Sequence, residues 1–172
     1  VKKWIALCDR STLPDYKTDV QDYESFIAPA SDTIEWPRFD ENTACALCYT
    51  SGTTGDPKGV LYSHRSTILH AMAGSFKDVI GADSQSVILA VVPMFHVSAW
   101  GLAYSAAMVG AKLVMPGPGL DGANLTKMIN EEGVTLMAGV PTVWLGVYNH
   151  VKETGGSPVS YTHLRAHETQ FH

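Results

Sequence analysis

Cysteine is scarce in this chain: Cys8, Cys45 and Cys48 are the only three in 172 residues. Three cannot all pair, so a disulfide framework is excluded and a reducing compartment is expected. Cys45 and Cys48 form a C-x-x-C, but no second ligand pair follows as a zinc site would require. They are expected to be small buried side chains in the strand that contains them. Lysine and arginine are also few and unclustered, and the net charge is −5, which argues against a nucleic-acid surface. Long apolar runs are missing; Val87 to Val92 is far too short to cross a membrane. The start, Val1-Lys-Lys-Trp4, has neither a methionine nor a signal-peptide pattern. It reads as the middle of a longer chain. What remains is a 45% hydrophobic sequence with mixed charges, long enough for one domain with a core.

The stretch that stands out is Tyr49-Thr-Ser-Gly-Thr-Thr-Gly-Asp-Pro-Lys-Gly59. It gathers three glycines, three threonines, a serine and a lysine between two apolar runs, Thr43–Tyr49 and Gly59–Tyr62. That order predicts strand, loop, strand. Glycines let a backbone bring its N–H groups close to a ligand, and hydroxyls with one lysine suit a polyphosphate. A Walker A loop needs G-x-x-x-x-G-K-[ST] and a following helix, and this stretch has neither. The spacing of a dinucleotide G-x-G-x-x-G is absent too.

Around the loop, Lys3–Cys8 reads as a buried strand and Thr18–Ala28 as a short helix stopped by Pro29. From His64 the period becomes helical. Ile68, Met72, Phe76 and Val79, with Leu69 and Ile80 beside them, predict one buried stripe, capped by Ser63 and stopped by Gly81. Ser86–Val92 predicts a strand covered on both faces. Pro93–His96 follows as a turn into a helix, Val97–Val109. Ala111–Met115 and Val134–Ala138 read as strands, Asp121–Glu132 and Pro141–Lys152 as helices. Strand and helix alternate, so the fold class is α/β with a mostly parallel sheet and flanking helices.

Tyr49 to Val60 resembles, almost residue for residue, the phosphate loop of the adenylate-forming superfamily: acyl-CoA synthetases, luciferases and peptide-synthetase adenylation domains. The likeness continues through Leu61-Tyr-Ser-His-Arg65, Val92-Pro-Met-Phe-His-Val97 with Trp100, and Gly139-Val-Pro-Thr-Val-Trp144. These later segments look most like the medium- and long-chain fatty acid–CoA ligases. The resemblance covers residues 1–157 and implies an incomplete piece of the large N-terminal, AMP-binding domain. It implies activation of a fatty acid with ATP through an acyl-adenylate, Mg²⁺ as the metal, and transfer to the thiol of coenzyme A. An aryl- or short-chain acid ligase and a non-catalytic nucleotide-binding fragment are the alternatives.

By the same resemblance Thr50 would help hold Mg²⁺. Ser51, Gly52, Thr53, Thr54 and Gly55 would wrap the β- and γ-phosphates, and Lys58 would add a mobile charge. His96 would lie beside the substrate carboxylate and adenylate. Trp100, one helical turn on, would face the same cavity near the acyl tunnel, with Val97 between them. Gly139-Val140-Pro141 would form a pocket wall. Trp144 reads as core, His64 and His70 as structural or solvent-facing, and Asp83, Asp121, Glu131 and Glu132 show no paired arrangement for acid–base work.

The superfamily's downstream glycine–threonine–glutamate motif, ribose-binding aspartate, hinge and C-terminal lysine have no counterpart here, so this polypeptide alone is expected to be inactive. Some members dimerise through an N-terminal portion, which leaves a homodimer open for the parent. The expected location is cytoplasmic, with peripheral membrane attachment left open. Finally, Pro158-Val-Ser-Tyr-Thr-His-Leu-Arg-Ala-His-Glu-Thr169 resembles an in-frame translation of a common transposase sequencing adaptor. Residues 158–172 are therefore read as a non-native tail, and their histidines are excluded as metal ligands.

Overall fold

A computed structural model describes residues 3–8, 11, 19–50 and 55–155, without the side chain of Val97. The loop residues Ser51, Gly52, Thr53 and Thr54 and the adaptor-like stretch 158–172 lie outside the described residues. The chain divides into two compact units, Val1–Phe39 and Asp40–His172.

In the first unit β1 (Trp4–Ala6) pairs in parallel with β2 (Val20–Asp22), with Ile5 opposite Gln21. The helix expected over 18–28 is shorter, because Asp22 serves as an N-cap. Its Oδ1 accepts from the Ser25 N–H at 2.9 Å, so α1 runs only from Tyr23 to Ile27. β1 is not the buried strand expected: Trp4 and Ile5 are exposed.

The second unit opens with an antiparallel hairpin, β3 (Ala44–Tyr49) and β4 (Gly59–Ser63), with Tyr49 opposite Gly59. The register slips between Ala44 and Ala46, leaving Cys45 without a partner across the ladder. Cys45 is accordingly exposed, its Sγ 3.2 Å from Thr67 Oγ1, and Cys48 is half-buried rather than in a core. Among the described residues no three His, Cys, Asp or Glu side chains gather to hold a metal.

β4 runs straight into α2 (His64–Ser75). Ser63 and Ser66 form a reciprocal capping box at its start. The helix stops at Ser75, five residues short of the expected run to Ile80. The N–H of Gly81 instead closes a turn onto the Phe76 carbonyl. The stripe Ile68, Met72, Phe76 and Val79 is exposed, with Phe76 64% accessible. The face that packs is the one carrying Ala71 and Gly74, where small residues admit a neighbouring helix. Periodicity finds an apolar face but does not say whether this chain supplies its cover.

A parallel three-stranded sheet forms the centre, in the order β6 (Lys112–Val114), β5 (Val87–Ala90), β7 (Leu136–Ala138). Both faces are covered, as the near-continuous aliphatic run predicts. Ile88, Ala90 and Val92 pack with Leu102 and Ala106 of α4 (Leu102–Val109). Leu89, Val91 and Val114 pack with Leu125 and Ile129 of α5 (Gly122–Glu132) and Val147 of α6 (Pro141–Thr154). α5 is capped by Asp121, whose Oδ1 accepts from the Asn124 N–H at 3.0 Å. α4 is tied to α2 by the buried Ser105, whose hydroxyl donates to the Ala71 carbonyl at 3.3 Å.

The helix expected over 97–109 is interrupted. Val97–Trp100, a single turn termed α3, has Ser98, Ala99 and Trp100 at φ values of 51°, 52° and 56°. Gly101 follows at 74°. This is a left-handed turn, and right-handed helix begins only at Leu102.

Candidate functional site: a hydroxyl-rich hairpin loop and a strand-end turn

The hairpin loop is closed at its base from both sides. The Thr50 N–H donates to the Lys58 carbonyl at 2.9 Å, and the Lys58 N–H donates to Thr50 Oγ1 at 3.1 Å. Thr50 and Lys58 are thereby held opposite each other where the two strands leave the ladder. Both are exposed. The Thr50 hydroxyl, accepting from Lys58, keeps its proton and a second lone pair for a ligand. Gly55 has φ at 154° with open space around its Cα, a backbone that a side chain would disfavour. Gly59 is packed, since a Cβ there would meet Leu47 Cδ1 at 3.1 Å.

The second group of site residues lies at the carboxyl end of the parallel sheet. Ala90 of β5 pairs with Ala138 of β7, and the Val91 N–H donates to the Ala138 carbonyl at 3.0 Å. The chain then leaves both strands at the same edge, the usual location of ligand sites in open α/β sheets. From β5 it forms the turn Pro93–His96, closed by the His96 N–H onto the Pro93 carbonyl at 3.0 Å, with the His96 side chain exposed. From β7 it forms Gly139-Val140-Pro141. Here Trp144 reaches back, its Nε1–H donating to the Gly139 carbonyl at 3.0 Å. Gly139 has no room for a side chain, because a Cβ would meet the Trp144 ring at 2.8 Å. Trp144 is thus structural, as its sequence context suggests.

His96, Val97 and Trp100 sit on one short segment, but not on the right-handed helix that would set His96 and Trp100 on one face. The left-handed turn intervenes. Each non-glycine residue in that conformation costs roughly 1–2 kcal/mol, so three in succession must be held by their surroundings. Ala99 is fully buried and Trp100 packs beside the Leu102 cluster. The Gly101 N–H donates to the Ser98 carbonyl at 3.0 Å, and His70 Nε2 lies 3.2 Å from the Trp100 carbonyl.

Thr50 and Lys58 therefore meet each other, and His96 and Trp100 share a turn. Among the described residues no hydrogen bond or ion pair runs directly from one pair to the other. They are connected through β4, α2 and His70. His70, read from the sequence as structural or solvent-facing, is exposed and lies against the Trp100 carbonyl.

Magnesium fits this donor set only as an ion carried by phosphates. Such an ion keeps several waters and takes most of its other ligands from the phosphates, and the exposed Thr50 hydroxyl is a protein oxygen within this donor set. No all-protein cage exists among the described residues.

Comparison with known proteins places this geometry in context. The family described as AMP-binding enzyme matches residues 5–167. The chain is 56% identical over 142 residues to a medium-chain-fatty-acid–CoA ligase of Ectopseudomonas oleovorans, covering 83% of this chain and 26% of that protein. It is also 56% identical over 133 residues to a 3-methylmercaptopropionyl-CoA ligase of Ruegeria lacuscaerulensis, covering 77% and 25%. Among solved structures, the inhibitor-bound N-terminal domain of FACL13 from Mycobacterium tuberculosis matches with a TM-score of 0.68 at 28% identity. That match covers 84% of this chain and 36% of the solved one. The chain spans about a quarter of the length of these curated relatives. A matched family over residues 5–167, an α/β fold shared with an N-terminal domain of that kind, and a hydroxyl-rich hairpin loop agree, and the chain belongs to the AMP-binding enzyme family.

Proposed function

We propose that this chain is the phosphate-loop portion of an ATP-dependent acid–thiol ligase that activates a fatty acid for transfer to coenzyme A. The observation that carries the reading is the closed base of the hairpin loop, where Thr50 and Lys58 face each other across the mouth of a glycine- and hydroxyl-rich turn. A carboxylate is a poor electrophile. Its oxygen must first attack the α-phosphorus of ATP, expelling pyrophosphate and leaving an acyl-adenylate. The thiol then displaces AMP. Charge accumulates on phosphate oxygens in the first step, so positioned donors and cations supply most of the catalysis.

In this reading Lys58 places its ammonium against the β- and γ-phosphate oxygens. Ser51 to Gly55 offer N–H and hydroxyl donors to the same groups. Mg²⁺, when bound, neutralises phosphate charge, and Thr50 is the residue that would hold it. His96, exposed at the end of β5, lies on the carboxylate side and orients the acid near the α-phosphate. Val97 and Trp100 line the start of the acyl site. Gly139-Val140-Pro141, held by Trp144, forms a wall beside them. The Asp83 and Asp121 carboxylates are occupied by their own hydrogen bonds and take no part.

A ligase for shorter or functionalised acids is the second reading. It is favoured by the equal identity to a relative named for 3-methylmercaptopropionate. No helix among the described residues is long and apolar enough to cross a membrane. We infer a cytoplasmic enzyme and read residues 158–172 as adaptor-derived from their codon-by-codon likeness, although the family match runs on to residue 167.

The test is acyl-hydroxamate formation from ATP, Mg²⁺, hydroxylamine and acids of graded length, using the gene product extended in both directions. Decanoate should turn over, and Lys58→Ala should lower the rate by roughly ten- to a hundredfold, the loss of one charge-assisted hydrogen bond or two. The 172-residue chain alone should give no turnover above its Lys58→Ala control. Turnover by the extended product that is indifferent to Lys58 would overturn the assignment of the loop.

A further inference from the structure

We propose that His70 is a positioning residue that locks the left-handed turn Ser98–Gly101 and so sets where Trp100 stands at the acid site. Three observations converge. The turn places Ser98, Ala99 and Trp100 in succession in a backbone region that non-glycine residues avoid. His70, from the middle of α2, lies with Nε2 3.2 Å from the Trp100 carbonyl, and a carbonyl can only accept, so Nε2 carries the proton and donates. Gly101 leaves the space the ring occupies, because a Cβ there would lie 2.6 Å from His70 Cδ2 and 2.8 Å from Nε2.

The consequence follows from where the residues lie. α2 begins directly after β4, the strand that leaves the phosphate loop, and its small face is fixed against α4 by the Ser105–Ala71 hydrogen bond. A ring anchored on α2 therefore ties the strand-end turn to the element that carries the phosphate loop. The carbonyl of Trp100 falls inside the left-handed turn, where no right-handed helical ladder can satisfy it, and His70 supplies the missing donor. Trp100 is thus held at its backbone by His70 as well as by the packing of its ring beside the Leu102 cluster. This role rests on the reading of the site as one that activates an acid.

The test uses the full chain labelled with 5-fluorotryptophan. Its four tryptophans give four fluorine lines, with that of Trp100 assigned by Trp100→Phe and that of Trp144 serving as the reporter of an intact fold. His70→Ala should shift or split the Trp100 line by more than its width while the Trp144 line stays in place. His70→Gln, whose amide nitrogen reaches to about the same point, should restore a single Trp100 line. An unmoved Trp100 line in His70→Ala contradicts the proposal. So does displacement of the Trp144 line in both variants, which would mark His70 as a packing residue. In the extended gene product, His70→Ala should raise KM for decanoate by roughly two- to tenfold, the loss of one hydrogen bond, and leave KM for ATP unchanged. An equal rise in both constants contradicts it. If the extended product activates no acid, the proposed function fails while the fluorine result still stands or falls alone.

Discussion

Replacing Gly122 with alanine should destabilise the chain, although alanine is the better helix former. Gly122 opens α5 where it crosses α6. A Cβ built there lies 2.3 Å from the Gly146 carbonyl oxygen, 2.8 Å from its carbon and 2.9 Å from His150 Cβ. Two of these three atoms are backbone, so no rotamer change relieves the clash. The helices must separate by about 1 Å to restore van der Waals distance, and a gap of that size forfeits a quarter to a half of each affected contact. The contacts at risk are those of Leu125, Ile129 and Val147. Overpacking of this kind costs about 1–3 kcal/mol. Gly146→Ala is the matched control. It lies in the same crossing, within α6, but a Cβ there has nothing within 4 Å. It should stabilise by about 0.5–1 kcal/mol through helix propensity alone. Urea unfolding followed by circular dichroism should therefore move the two midpoints in opposite directions. A Gly122→Ala midpoint at or above that of the natural chain would refute the close helix crossing.

Two further expectations concern carboxylates and the Gly139 wall. Asp121 is held below its usual pKa by the backbone N–H and side chain of Asn124, and Asp83 by the hydroxyl of Ser86 and the N–H of Gln85. A depressed folded pKa contributes stability that is present above the unfolded value, about 3.9, and is lost as pH falls through the folded one. The urea midpoint should thus fall on acidification below about pH 4, and Asp83→Asn with Asp121→Asn together should flatten that limb; an unchanged slope would be the negative result. Trp144→Phe removes the donor to the Gly139 carbonyl and should cost about 0.5–1.5 kcal/mol. Hydrogen exchange should quicken around residues 139–141, and an unaltered exchange rate there would count against the anchor.

Much of the fold could be read from the residues because local chemistry decided it. The apolar run before Tyr49 and the glycines after it could only be strand and loop. The continuous aliphatics of 87–92 announced a strand covered on both faces, and Asp121, Pro141 and Ser63 marked helix starts where the helices begin. The failures have one physical origin, the tertiary partner. Ile68, Met72, Phe76 and Val79 make a helical stripe, yet α2 packs through Ala71 and Gly74, because small residues let α4 approach. Cys45 was expected inside, but a slip in the ladder turned it out. The turn after His96 was hidden more deeply. Val-Ser-Ala-Trp has no residue that asks for a left-handed backbone; the buried Ala99, the packed Trp100, the glycine that follows and a histidine thirty positions earlier surround the turn only in the fold. The candidate site could be proposed from the sequence only as a set of residue types. Its geometry was legible only at the loop base, where Thr50 and Lys58 face each other by the register of a hairpin.

The proposed reaction can be followed with the acid's own oxygens. The extended gene product would be given decanoate labelled with ¹⁸O in the carboxylate, together with ATP, Mg²⁺ and coenzyme A, and the phosphate-containing products examined by mass spectrometry. Attack of the carboxylate on the α-phosphorus leaves one acid oxygen bridging carbon and phosphorus, and thiol displacement at carbon leaves that oxygen on AMP. The account predicts one ¹⁸O in AMP and none in pyrophosphate. Label appearing in inorganic phosphate, with ADP as the nucleotide product, would mean attack at the γ-phosphorus and would contradict it.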